Sequence, residues 1–137
     1  MTGFEQNYFQ KQKFIDKQIS QYFASARRDM EIAESAGIAE VRFKFAYDAL
    51  IKIGIAVIAE KGYKVRSQPG HHVKILEKMS EILNDENISV LGNKMRQDRN
   101  RDFYEGGTII TKKEANEYLE FLKGIFNEVQ NRPSDEN

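Results

Sequence analysis

Apolar residues recur along this chain at helical spacing. Ile15, Ile19, Tyr22, Ala26 and Ala33 step by three, four or seven, which is one stripe of an amphipathic helix. The spacing predicts a first helix from about Asn7 to Ala36, with Lys13, Lys17, Gln21, Arg28 and Glu31 on its other side and Gly37 as its stop. The segment from Ala39 to Lys61 is apolar nearly all round, which marks a central helix or one also buried by a partner chain. Gly54 lies inside it and suits a close helix–helix approach. Residues 62–70 read as a loop closed by Pro69-Gly70. A third helix follows from His71 to Asn84 on the seam Val73, Leu76, Met79 and Leu83. A fourth runs from about Ile88 to Tyr104, with Ile88, Leu91, Met95 and Phe103 apolar and Gly106-Gly107 ending it. Thr111-Lys112-Lys113-Glu114 is a capping box that opens a fifth helix, whose face is Ala115, Tyr118, Leu119, Leu122, Ile125 and Val129.

The expected fold is all-α, an up-and-down antiparallel bundle of four to five helices, because short connections make sequential helices antiparallel neighbours. One domain over residues 1–130 and a polar, frayed tail over 131–137 complete the organisation. Two prolines in 137 residues agree with a helical chain. Twenty-one basic and 21 acidic residues cancel, so bulk charge does not draw the chain to nucleic acid and any such contact must be local. The absence of cysteine removes disulfides, thiol chemistry and Cys-based zinc sites. His71 and His72 are adjacent, a poor spacing for one metal, and no metal or other cofactor is expected. The longest apolar run, Ile53 to Ala59, is far shorter than the roughly 20 residues of a membrane span. The first residues lack a basic-then-apolar leader pattern. A cytoplasmic protein without membrane contact is the expectation.

The fourth helix carries the most informative stretch. Between Met95 and Gly107 three arginines, Asp98, Asn100 and Asp102 accompany the apolar seam. Arg99-Asn100 followed by Tyr104 resembles the Arg-x(4–6)-His motif of HEPN domains, with Tyr in place of His. Ala26 to Ala33 is similar to the family's first helix, Tyr47-Asp48-Ala49-Leu50 to its buried second helix, and Gly70-His71-His72 to the start of its third. The resemblance covers most of the chain and lies in the order and spacing of these pieces. It implies a helical bundle, a homodimer, and a cleft at the dimer interface. It also implies either a metal-independent endoribonuclease of a toxin–antitoxin, defence or RNA-processing system, or a non-catalytic partner of a nucleotidyltransferase or antitoxin.

The implied catalytic set is Arg99, Asn100 and Tyr104, with Arg96, Arg101, His71 and His72 as contacts to RNA or nucleotide phosphate. Metal-free RNA cleavage needs a base for the 2′-hydroxyl, charge stabilisation at phosphorus and an acid for the leaving oxygen. A guanidinium fork suits the second task, because it holds two phosphate oxygens at once. Tyrosine, with a reference pKa near 10, supplies a hydrogen-bond donor more readily than a base. One of the two histidines supplies the missing imidazole if the start of helix three lies beside the end of helix four.

Alternatives remain open at several positions. Arg99 either contacts phosphate or pairs with Asp48 or Asp102. His71 and His72 are either site residues or surface residues near a turn. Lys61, Lys64, Arg66 and Lys74 form either a phosphate-tracking patch or a solvated loop. The Phe and Tyr residues read as core, not as base-stacking platforms.

Overall fold

The computed structural model describes residues 3–106 and 110–132, with the side chains of Asp102, Phe103 and Glu105 excepted. It is an all-α bundle: α1 (Asp16–Ser35), α2 (Ala39–Glu60), α3 (His71–Leu83), α4 (Glu86–Glu105) and α5 (Lys112–Asn131), with two short strands, β1 (Phe9–Lys11) and β2 (Tyr63–Val65). No helix among the described residues is long and apolar enough to cross a membrane.

As its apolar circumference requires, α2 is the centre. It touches α1, α3, α4, α5 and β2, and Leu50, Ile53, Val57 and Ile58 on it are fully buried. Gly54 is where α3 comes closest, since a Cβ there would stand 2.6 Å from Met79 Sδ and would also collide with Ile75. Gly92 on α4 does the same for Leu76, whose Cδ2 lies 2.6 Å from where a Cβ would sit. These two glycines draw α2, α3 and α4 together around one α3 surface.

The capping signals hold. Thr111 Oγ1 accepts from the Glu114 amide and the Glu114 carboxylate accepts from the Thr111 amide, so two orphan donors are satisfied reciprocally. All six apolar residues expected on the face of α5 are buried. Asp85 caps α4, and Gly106 ends it in the left-handed region at φ +64°. Gly107 and residues 133–137 lie outside the described residues.

The first element departs from expectation. The chain between Asn7 and Ile15 is not helical, and α1 begins at Asp16. Phe9 to Lys11 pairs antiparallel with Tyr63 to Val65, inside the segment expected to be loop. The physical reason lies in the side chains before Ile15. Phe9 and Phe14 lie off the Ile15–Ile19 stripe and are buried, and Phe4 stacks on Tyr63 with ring centroids 3.8 Å apart. Aromatic side chains off that stripe gain more from a strand pairing. That pairing matters for function. Arg66 donates its amide to the Tyr8 carbonyl and Gln12 donates to that of Gly62, which fixes the path of residues 62–70 into α3.

Candidate phosphate-binding cleft

Six of the seven candidate residues meet. A cleft of about 560 Å³ is lined by His71 and His72 at the start of α3 and by Arg96, Arg99, Asn100 and Tyr104 near the end of α4. The 67–70 segment closes its other side. Among the described residues, none that lines the cleft is acidic. Positions 96, 99, 100 and 104 span one broad side of α4, with the buried Asp98 on the other and Arg99 at the edge next to the buried Ile88 and Met95. Arg99 and Tyr104 stand about 140° apart on a regular helix. Because α4 stays helical through Glu105, side-chain reach, not unwinding, brings both to the cleft.

Arg101 is the exception. It is exposed on another side of α4, with Nη1 3.7 Å from Asp98 Oδ1, and it does not line the cleft. Asp98 itself is buried and accepts a hydrogen bond from the Tyr118 hydroxyl at 2.7 Å, with Lys94 at 3.5 Å. That cluster holds α4 to α5 and keeps the acid away from the arginine stripe.

Arg99 makes no ion pair with Asp48, which is bound by Lys44 at 2.9 Å one turn earlier on α2. Its guanidinium instead lies over the ring of Tyr47, 5.7 Å from the centroid. Arg96 donates to the Asn93 side chain at 3.2 Å. Neither arginine has a carboxylate within salt-bridge distance among the described residues, and the Asp102 side chain, the other expected partner of Arg99, lies outside them. Of the basic loop patch, Lys74 is engaged by Glu5 at 3.0 Å and Glu77 at 3.7 Å. Arg66 lines an adjoining depression that shares Gln68 and Pro69 with the cleft.

The two histidines are held by different partners. A carbonyl oxygen can only accept, so His71 Nδ1, 2.8 Å from the Gln68 carbonyl, carries a proton and donates it there. In neutral His71, Nε2 therefore keeps its lone pair. His72 Nδ1 is 2.9 Å from the hydroxyl of Tyr47, a fully buried residue. Burial pushes the Tyr47 phenol up to about 12, outweighing the nearby Arg99 and Arg96, so it stays protonated. The phenol O–H can donate to His72 Nδ1, and in that tautomer the neutral ring carries its own proton on Nε2. Burial, with His71 and Arg99 beside it, lowers His72 to about 4. In these neutral tautomers the pair supplies one ring with a free Nε2 lone pair and one with an Nε2–H, their centroids 4.5 Å apart.

Tyr47 and Gln68 are the residues sequence reasoning missed. Tyr47 gave a weak signal as an aromatic beside Asp48 in an apolar helix. Gln68 acts through its backbone, which carries no side-chain signal. Among the described residues no group of three His, Cys, Asp or Glu is placed to hold a metal ion. No family model matches the chain, and no curated protein or solved structure is significantly similar to it.

Proposed function

We propose that this chain is a HEPN-like protein that binds RNA or nucleotide phosphate in the cleft between α3 and α4. The observation that supports this best is the convergence of Arg96, Arg99 and Asn100 with both histidines in an opening with no acid among its described lining residues. Two guanidinium groups favour a phosphodiester over a neutral ligand, and Asn100 adds an amide donor. The reading includes a homodimer, as the resemblance implies, and a cytoplasmic location; a non-catalytic module that partners a nucleotidyltransferase or antitoxin is the alternative.

Arg99→Ala is expected to weaken binding of a labelled single-stranded oligoribonucleotide about ten-fold, the scale of one charge-assisted hydrogen bond. Fluorescence anisotropy measures it. Wild-type affinity should fall steeply with added salt, because phosphate contacts release counterions. Unchanged affinity in Arg99→Ala would remove the cleft as the binding site. Binding to a nucleotidyltransferase or antitoxin partner, with none to RNA, would favour the non-catalytic interaction module.

The histidine pair supports a second step, strand cleavage. Neutral His71 Nε2 has the lone pair to take the proton of a 2′-hydroxyl, whose oxygen bonds to phosphorus as the bond to the 5′-oxygen breaks; the arginines hold the phosphate, and Tyr104 or a protonated histidine gives the 5′-oxygen its proton. On this reading wild-type protein cleaves RNA in the presence of EDTA, and His71→Ala binds normally but cleaves at least about 100-fold more slowly. Equal cleavage by the two proteins, followed on a denaturing gel, rules out His71 as the base.

A further inference from the structure

The arginine cleft continues into a second, more enclosed cavity of about 240 Å³. The two share Ser67 and His71. The second cavity has aromatic walls, formed by Phe14, Tyr22 and Tyr63, with Ile55 at its α2 side and Lys64 as its one charged residue. The rings are fixed by their neighbours. Phe14 and Tyr22 meet edge to face at 5.9 Å and 73°, and Tyr63 is backed by the stacked ring of Phe4. Helical periodicity places Tyr22 in the core. The structure leaves it and Tyr63 half-buried.

We propose that this aromatic cavity is a nucleobase subsite, taking the base of an unpaired nucleotide whose phosphate lies between Arg96 and Arg99. The inference rests on the phosphate reading of the cleft and defines the substrate within it. A base offers a flat π-face to Phe14, Tyr22 and Tyr63 and polar edges to Lys64 and Ser67. Stacking on aromatic side chains is how proteins hold unpaired bases, and it tolerates many sequences because every base has a π-face. A paired base is stacked on both sides and cannot turn into the cavity, so the site selects single strands over duplex. His71 borders both spaces, which sets the ribose joining base to phosphate beside the imidazole that keeps a free Nε2. A free nucleotide and a strand end offer the same base-plus-phosphate chemistry.

The test varies the ligand as well as the protein. Anisotropy is measured with a single-stranded hexaribonucleotide, the same strand with abasic sites, and its duplex. Adenosine monophosphate and inorganic pyrophosphate serve as competitors. The abasic strand is expected to bind about ten-fold more weakly than the intact one. Tyr22→Leu should lose that factor for the intact strand and lose nothing further for the abasic strand, while pyrophosphate still competes. Competition by adenosine monophosphate at strand-like concentrations assigns the subsite to free nucleotides, and competition only by strands assigns it to a polymer. Equal binding of intact and abasic strands, with Arg99→Ala still weakening both, overturns the base subsite and leaves the phosphate cleft standing. Indifference of every ligand to Arg99→Ala overturns the cleft itself. The abasic comparison uses the wild-type protein, so it does not depend on how Tyr22→Leu folds.

Discussion

An Arg42→Met variant is expected to lose about 3 kcal/mol of stability, since hydrogen bonds from a charged donor contribute about 1.5–3 kcal/mol each and part of this set faces water. No glycine in a left-handed conformation and no basic residue closes the last turn of α1. Arg42, from the first turns of α2, does so instead. Its Nε donates to the Ala33 carbonyl at 2.9 Å, and its Nη2 donates to those of Glu34 at 3.1 Å and Ala36 at 2.9 Å. Nη1 donates to the Asn116 side chain on α5. One guanidinium therefore satisfies three carbonyls at the negative end of a helix dipole and ties three helices at one point. Methionine keeps most of the apolar stem and removes every donor. Urea unfolding followed by far-UV circular dichroism should show a lower midpoint at constant slope. Arg42→Lys should recover less than half of the loss, because a single ammonium cannot span the fork. A midpoint equal to wild type for Arg42→Met would show that water replaces the guanidinium at no cost.

Arg42 also marks where the sequence stops being legible. Periodicity exposes a face, and so it located α2, α3, α4 and α5 and the buried residues of α5. Glu114 and Thr111 were readable because a capping box is a local pattern of fixed spacing. Arg42 and Asn116 are far apart in sequence, and their pairing depends on how α1, α2 and α5 pack. The same holds for Lys52 and Asp29, which join α2 to α1 at 2.7 Å with the carboxylate buried. The strand pair escaped notice for a related reason. Phe9 and Val65 become neighbours only through tertiary pairing, and three-residue strands are too short for alternation to register. In the cleft, Arg96, Arg99, Asn100 and Tyr104 were visible as a polar stripe on one helix, and their meeting with His71 and His72 followed from antiparallel topology. The Tyr47–His72 and Gln68–His71 hydrogen bonds were not visible, since they set ring tautomers through a buried phenol and a backbone carbonyl.

The first of those bonds leads to a pH dependence specific to His72. Its folded-state pKa of about 4 lies below the 6.5 of an unperturbed imidazole. Between these values the unfolded chain binds a proton that the folded chain refuses, so stability rises with pH across that window. The contribution is complete above about pH 6.5 and is lost progressively as pH falls toward 4. Fully converted, the shift is worth about 3 kcal/mol, and because His72 is only partly buried, solvent screening reduces this to about 1–2 kcal/mol. The groups that set the effect come from three helices: Tyr47 and Asp48 on α2, His71 on α3, and Arg96 and Arg99 on α4. Asp48 alone favours the charged ring, and burial with three cationic or ionisable neighbours outweighs it. His72→Asn keeps an acceptor for the Tyr47 hydroxyl and removes the titration. Urea unfolding at pH 7 and at pH 4.5 should show wild type losing about 1–2 kcal/mol more than His72→Asn on acidification, while carboxylates common to both proteins cancel in the difference. Equal losses would mean that His72 is charged in the folded protein near pH 5. An anion held by Arg96 and Arg99 would offset the two nearest positive charges and raise the His72 pKa, so saturating pyrophosphate should shrink the difference between the two proteins. Burial is the first cause of the neutral His72 ring and the two arginines add to it, so phosphate relieves their part of the effect and leaves the part due to burial.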